Sequence, residues 1–389
     1  MFILEKPYVS VLLKKTLTEM NAIVLDNEVA RSAMKGSSLK LYSDQNFIKA
    51  YNENPAQPVY SNSENAIDWI DNNLSSAGLP GKIRLFKDKA AFRNLVKDIY
   101  PDFFYRTVKF DELDKVDPQQ TSIPCVIKPC VGFFSLGVHM IESVDGWHKA
   151  VTAIKGEVEH IKTMYPAKVL ELDNFIIEQC IEGEEFAIDA YYDNSGNPVI
   201  LNILGHLFAS SDDVGDRCYI TSPEIIKKHH DNFIGLLKEI GKRADLNNFP
   251  IHIEIRADEQ GNLGVIEVNP MRFAGWCVTD LAYHAYEINP YKYYMKGLIP
   301  DWEAIFESRK DKVYAMVIGD IDSSVDCKKI VSIDYEAFKM NFSNPLELRK
   351  INYKEYPVFA FMFAEVDKDN MQELTKMLYY DFSRYLKLE

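Results

Sequence analysis

The sequence predicts a mixed α/β and α+β protein built from more than one packed unit. The chain opens with a strand–helix–strand pattern of the kind found in parallel sheets. Its middle holds two pairs of apolar or alternating segments joined by short polar turns, the mark of antiparallel hairpins. At 389 residues the chain is too long for one ordinary core and suits two or three subdomains.

In chain order, Phe2–Leu4 forms a short buried strand. Pro7 is placed at the first position of a helix, where its missing N–H costs nothing, with Val9, Leu13 and Leu17 along one face. Ala22–Leu25 is the next strand, and Val59-Tyr60 followed by Ser63 as a helix cap continues the unit. The stretch 75–81, Ser-Ser-Ala-Gly-Leu-Pro-Gly, has the composition of a linker. Asp88 caps a helix carrying Ala91, Leu95 and Ile99, and Cys125–Ile127 is a short apolar strand that enters a glycine-containing turn. Asp145 is placed as the cap of a long helix with Trp147, Val151, Ile154, Val158 and Ile161 on one side. Phe175–Ile177 is another buried strand. Glu185–Tyr192 and Pro198–Leu204 meet across Asn-Ser-Gly-Asn. Ser222-Pro223-Glu224 combines a cap, a proline at the first helical position and a first-turn acid. Phe249–Ala257 and Leu263–Asn269 form the second hairpin. Beyond Lys310, the strands Val313–Ile318 and Val358–Phe363 and a last helix make a small α+β tail.

Composition narrows the partners. Net charge is −14, from 44 basic and 58 acidic residues, and an acidic surface repels polyphosphate backbones, so nucleic acid is not expected. A small anion needs only a local basic pocket. The six cysteines contain no CxxC pair and fit scattered buried thiols in a reducing compartment. No uncharged apolar stretch approaches ~18 residues. A cytoplasmic protein without membrane contact is expected; a homodimer is left open.

Three constellations carry chemistry. In the first, a strand delivers Lys128, and the loop Pro129-Cys130-Val131-Gly132-Phe133-Phe134-Ser135-Leu136-Gly137 follows. Backbone N–H groups, a hydroxyl and an ammonium suit phosphate oxygens, although an ordinary strand turn with a surface lysine has the same pattern. On that surface placement, Lys128→Met should cost only ~0.5 kcal/mol of stability. The second is the hairpin whose turn, 258–262, lies symmetrically between Glu254 and Glu267. That register puts Glu254 opposite Glu267, His252 opposite Asn269, Ile253 opposite Val268 and Ile255 opposite Ile266. Two facing carboxylates cost energy, and a divalent cation is the natural remedy, although the solvated acidic face of a hairpin has the same pattern. Two carboxylates and an amide oxygen, completed by phosphate oxygens, suit Mg²⁺ better than zinc. The third is Glu178-Gln179-Cys180-Ile181-Glu182-Gly183-Glu184-Glu185, which by itself reads best as a charged loop between strands.

Taken in order, Asp88-Lys89, K-P-x-x-G-x-x-S-x-G-V, E-Q-x-x-x-G-x-E, H-x-E, then E-x-N-P and an arginine resemble the ATP-grasp superfamily over roughly Lys82 to Trp276. The resemblance implies an ATP-grasp fold: an N-terminal α/β domain over 1–81, an ATP-grasp domain over 82–309 and a C-terminal subdomain over 310–389. Within the middle domain the lid would span about 110–183 and the core sheet about 184–309. By the same resemblance Lys89 and Lys128 hold ATP phosphates, with Gly132, Ser135 and Gly137 in the phosphate loop. Glu178, with backbone at Gln179 and Ile181, borders the adenine, and Glu185 the ribose. Glu254, Glu267 and Asn269 hold Mg²⁺, with Mn²⁺ as a substitute.

His252-Ile253-Glu254 and Arg272-Phe273-Ala274-Gly275-Trp276 resemble the L-amino-acid ligases, which join two amino acids. Arg272 would then stabilise the transferred phosphoryl group or acyl phosphate, and His252 would orient a substrate or take the amine proton, unless it is a structural histidine. Two departures stand out: Phe133 and Phe134 replace small residues of the loop, and Met271 separates Asn269-Pro270 from the arginine. The implied reaction is ATP-dependent carboxylate–amine ligation through an acyl phosphate, with ADP and phosphate released. The alternatives are an ATP-grasp ligase with a thiol or bicarbonate acceptor, a nucleotide-binding sensor without turnover, and a structural partner subunit. The segment 205–217 is polar and turn-rich, equally suited to substrate contact or to a plain surface loop.

Overall fold

A computed structural model describes residues 1–132, 137–164, 172–209 and 215–389. Strands β1 (Phe2–Ile3), β2 (Val24–Leu25), β3 (Leu41–Tyr42) and β4 (Tyr60–Ser61) form a parallel sheet in the order β3-β2-β1-β4. Its first helix does not begin at Pro7. It spans Val11–Glu19, because the Ser10 hydroxyl accepts the Leu13 N–H at 3.0 Å and so caps the chain three residues later. Leu13 and Leu17 are buried as expected, while Val9 precedes the helix. The 75–81 stretch is not a linker: Leu79 and Pro80 are buried in the first turn of the helix Leu79–Lys87. Proline at the start of a helix is favourable, and that position decides between the two uses of a Pro-Gly pair.

Asp88 caps the next helix, Lys89–Val96, through the Ala90 and Ala91 N–H groups. Phe92, Arg93 and Val96 are its buried residues, with Leu95 and, just past the helix, Ile99 packed half-buried against the core, so an arginine occupies a core position.

Strands β5 (Tyr105–Lys109), β6 (Cys125–Pro129), β7 (His139–Ile141) and β8 (Asn174–Gln179) form an antiparallel sheet in the order β5-β8-β6-β7. The helix Trp147–Met164 covers one face, burying Trp147, Val151, Ile154 and Val158 with Cys125, Ile127, Phe175 and Ile177. The approach to that helix is capped by Ser143, which accepts the Gly146 N–H, and not by Asp145. Proline does not stop β6 at Ile127: Lys128 and Pro129 still pair with Ile176 and Phe175.

Strands β9 (Glu184–Tyr192), β10 (Pro198–Leu207), β11 (Cys218–Thr221), β12 (Phe249–Ala257), β13 (Leu263–Pro270) and β14 (Lys312–Asp320) begin the largest sheet. After them come β15 (Ile330–Ile333), β16 (Asn344–Lys350), β17 (Val358–Asp367) and β18 (Leu386–Leu388). The large sheet is antiparallel in the order β13-β12-β9-β10-β11-β14-β17-β16, and β15 pairs with β18 in a separate ribbon. The tail beyond Lys310 therefore extends the core sheet. Arg349 of β16, buried, binds Asp280 and Glu347 and tacks this edge to the segment that follows β13. Among the described residues no helix is long and apolar enough to cross a membrane.

Candidate active site

The hairpin of β12 and β13 supplies the acidic wall. Ile251, Ile253 and Ile255 are buried on one face of β12, which leaves His252 and Glu254 on the other. Glu254 pairs with Glu267, and His252 with Asn269. A bulge after Glu254 then shifts the ladder, so Ile255 meets Val265 rather than Ile266. The two carboxylates keep 30% and 35% of their side-chain exposure, so both can reach a ligand. Asn269 donates its amide to Glu267 at 3.1 Å. Burial raises the Glu254 carboxyl, and the facing Glu267 raises it further. Burial alone would do the same to Glu267, but Lys89, Asn269, Lys128 and Lys87 outweigh it and hold that carboxyl low. Among the described residues no three His, Cys, Asp or Glu side chains converge on one metal point. The donors at hand are two carboxylates and an amide: hard oxygens that fit Mg²⁺ when phosphate oxygens complete the shell.

The basic wall faces it. Lys89 Nζ stands 3.9 Å from Glu267, and the Lys89 N–H bonds the Cys130 carbonyl at the foot of the loop after β6. The Lys89 ammonium is shifted down by burial, and its neighbours Lys128 and Lys87 push the same way. Gly132 and Gly137 flank the Pro129 ring, where an added Cβ at either would lie 3.4 Å from it, and Gly137 has φ +71°. Ser135, with Phe133 and Phe134, lies outside the described residues.

Lys128 is buried, contrary to its expected place at the surface. Its ammonium pairs with Glu178 Oε1, while Arg93 Nε bonds Glu178 Oε2 at 2.8 Å. Strand pairing through Pro129 keeps the lysine stem inside the sheet, which explains the burial. Burial alone would raise the Glu178 carboxyl; Lys128 and Arg93 outweigh it and hold it low.

The hinge between β8 and β9 is tightly bonded. Gln179 exchanges bonds with Phe104, its N–H to the carbonyl at 3.1 Å and its Oε1 from the N–H at 2.8 Å. The Ile181 carbonyl accepts from Arg256 at 2.9 Å, and the same guanidinium holds Glu185 at 3.0 and 3.1 Å. Ile181 also lies on the hairpin at Gly264, where a Cβ would stand 2.3 Å from the isoleucine methyl. His206 faces Glu185 at 3.6 Å and stacks on Tyr219. In the 205–217 segment, Gly205–Leu207 belong to β10, residues 210–214 lie outside the described ones, and Arg217 binds Asp320 and the carbonyls of Leu378 and Tyr380.

Arg272 follows β13 in a strained loop: Met271, Trp276 and Cys277 all have positive φ, at 67°, 50° and 67°. Its Nε lies 3.5 Å from Glu64, which also binds Lys87, and its Nη1 donates to the Phe273 carbonyl at 3.0 Å. Asp189, fully buried in β9, accepts from His252 Nδ1 at 2.8 Å and from the Ala274 N–H at 2.7 Å. His252 Nε2 faces Glu254 at 3.6 Å. Burial would lower the imidazole, but Asp189 and Glu254 prevail and raise it to about 9.

Residues 121–280 match the family model of the ATP-grasp domain. The chain carries an ATP-grasp domain. No curated protein matches the sequence. An L-amino acid ligase from Bacillus licheniformis is 15% identical, with a TM-score of 0.66 over 100% of this chain and 98% of that chain. N5-carboxyaminoimidazole ribonucleotide synthetase from Thermotoga maritima is 14% identical, with a TM-score of 0.66 and the same shares covered. Biotin carboxylase from Campylobacter jejuni is 13% identical, at 0.64 over 100% of this chain and 92% of that chain. At these identities the likeness is one of fold. The fold of the whole chain is the one that these ligases, synthetases and carboxylases share.

Around this candidate site, sequence reasoning missed Glu64, Lys87, Arg93, Asp189 and Arg256. Asp189 left a signal, a lone acid in the apolar strand Phe186–Tyr192. Lys87 is hinted at by Lys87-Asp88-Lys89. Glu64 carries no signal, because its role comes from the N-terminal unit being packed against Arg272.

Proposed function

We propose that this ATP-grasp protein joins the carboxylate of one small molecule to the amine of another, with amino acids as the substrate class. ATP is cleaved to ADP and phosphate, and the carboxylate passes through an acyl phosphate. The supporting observation is the meeting of Lys87, Lys89 and Lys128 with Glu254, Glu267 and Asn269. Cations on one wall and hard oxygen donors on the other suit a polyphosphate carrying a divalent ion. Glu254, Glu267 and Asn269 would hold Mg²⁺ or Mn²⁺, which when bound neutralises charge on the phosphates.

In this scheme Lys89 and Lys128 fix phosphate oxygens, and the hinge Glu178–Ile181 borders the base with Glu185 toward the ribose. Arg272, anchored by Glu64, presents its guanidinium to the substrate carboxylate or the phosphoryl group being transferred. His252 is tied to Asp189 and faces Glu254, which fits a residue that positions the acidic wall better than one that collects a proton. The division into 1–81, 82–309 and 310–389 and a cytoplasmic location belong to the same proposal; free thiols suit a reducing compartment.

The test is phosphate release from ATP and Mg²⁺ across pairs of amino acids, with the joined product identified by mass. Release that depends on bicarbonate or a thiol and ignores every amine would transfer the site to the other acceptors. ATP untouched under all pairings, with binding intact, would favour a sensor.

A further inference from the structure

Glu178 has two cationic partners where one carboxylate needs only one. All three side chains are at most 9% exposed: Lys128 on β6, Glu178 on β8 and Arg93 on the helix Lys89–Val96. The partners differ in what else they hold. Arg93 also donates from Nη1 to the Val265 carbonyl of β13 at 2.8 Å, and its guanidinium lies 4.6 Å from the centre of the Phe103 ring. It therefore ties β8 to the acidic hairpin through Glu178 and Val265 and is held by a third contact at Phe103. Lys128 is a flexible ammonium stem beside the phosphate loop, with Lys89 and Glu267 as electrostatic neighbours.

We infer that Arg93 is a positioning residue for the nucleotide: it is the permanent counter-charge of Glu178 and thereby releases Lys128 to the phosphates. This rests on the proposed ATP site. A buried carboxylate stripped of all partners is costly, several kcal/mol in typical proteins. With Arg93 in place, Lys128 can turn from Glu178 to a phosphate oxygen and leave the carboxylate paired. Without it, Lys128 becomes the sole partner and is locked inward. Burial of Glu178, and the pull of both cations on its carboxyl, are consistent with that division.

The experiment is calorimetric titration of Arg93→Met and Arg93→Lys, as full-length protein with Mg²⁺, using ATP and adenosine as separate probes. The expected result is an ATP affinity at least tenfold weaker in Arg93→Met with adenosine affinity within about twofold of wild type, since only the phosphate contact is withheld. In a Glu178→Gln background, Arg93→Met should change ATP affinity by no more than about twofold relative to Glu178→Gln alone, because a neutral amide no longer captures Lys128. A purely structural role would weaken ATP and adenosine alike. That outcome, or unchanged ATP affinity in folded variants, overturns the inference. Should Arg93→Met fail to fold, Arg93→Gln removes the charge while keeping a donor and gives the same ratio, whereas Arg93→Lys keeps a counter-charge and should hold ATP affinity close to wild type. Wild-type protein that ignores ATP refutes the proposed site itself, a result distinct from the failure of Arg93.

Discussion

Lys128→Met separates the two roles of the lysine, and the structure changes the size of the effect. At a surface the substitution would cost ~0.5 kcal/mol. Lys128 is instead 9% exposed and bonded to a carboxylate that is 4% exposed. Methionine keeps most of the apolar stem and removes the charge-assisted contact, which is worth about 1.5–3 kcal/mol. The full penalty of a broken buried pair, about 3–5 kcal/mol, does not apply, because Arg93 still holds Glu178. The expected loss of stability is therefore about 1.5–3 kcal/mol, and a unit of ATP-grasp size loses about 2–4 °C in Tm per kcal/mol. If the ammonium also meets a phosphate, ATP affinity should fall by about 10- to 150-fold, the same energy spent on a second contact. A melting curve and an ATP titration on one preparation read both numbers. Lower Tm with unchanged ATP affinity would show that Lys128 serves only Glu178, and the phosphate assignment would be dropped.

Glu267→Gln should nearly abolish turnover while leaving the fold intact, since it relieves a facing carboxylate pair worth about 0.2–1 kcal/mol and removes a cation ligand; wild-type turnover would remove the metal assignment. Reaction products should be ADP and phosphate, and AMP with pyrophosphate in the assay would mean adenylation instead. Burial would raise the Glu347 carboxyl, but His284 and Arg349 hold it down at about 2. Its contribution to stability is then complete above the ordinary carboxylate range and is lost as pH falls from about 4.5 toward 2. The stability gap between wild type and Glu347→Gln, measured by denaturant melts, should shrink across that window, and a constant gap would contradict the pairing. Gly264→Ala drives a Cβ into the Ile181 methyl, at 2.3 Å, and should cost about 1–3 kcal/mol while loosening ATP binding through the hinge; a neutral result on both counts would show the hinge free to move away.

The sequence by itself determined what short-range geometry determines. Alternation and a symmetric turn were enough to place Glu254 opposite Glu267 and His252 opposite Asn269, because strand register is fixed locally by side-chain period and loop length. Helix caps at Asp88 and Ser222 were legible for the same reason, since a cap acts within one turn. Two helix starts fell elsewhere than expected, because a serine hydroxyl accepts a free N–H there: Ser10 rather than Pro7, and Ser143 rather than Asp145. Tertiary structure alone decided which charges are buried together. Arg93 sits where pattern calls for an apolar residue, and it is tolerated only because Glu178, far along the chain, meets it there. Glu64 reaches Arg272 by the packing of the N-terminal unit, and Arg349 reaches Asp280 because the C-terminal strands continue the core sheet. Hydrogen bonds and ion pairs between distant segments depend on distances that no local pattern encodes. The sequence could name Lys89, Lys128, Glu178, Glu254 and Glu267, but only the fold could assign their partners and bring Glu64, Lys87 and Asp189 to the site.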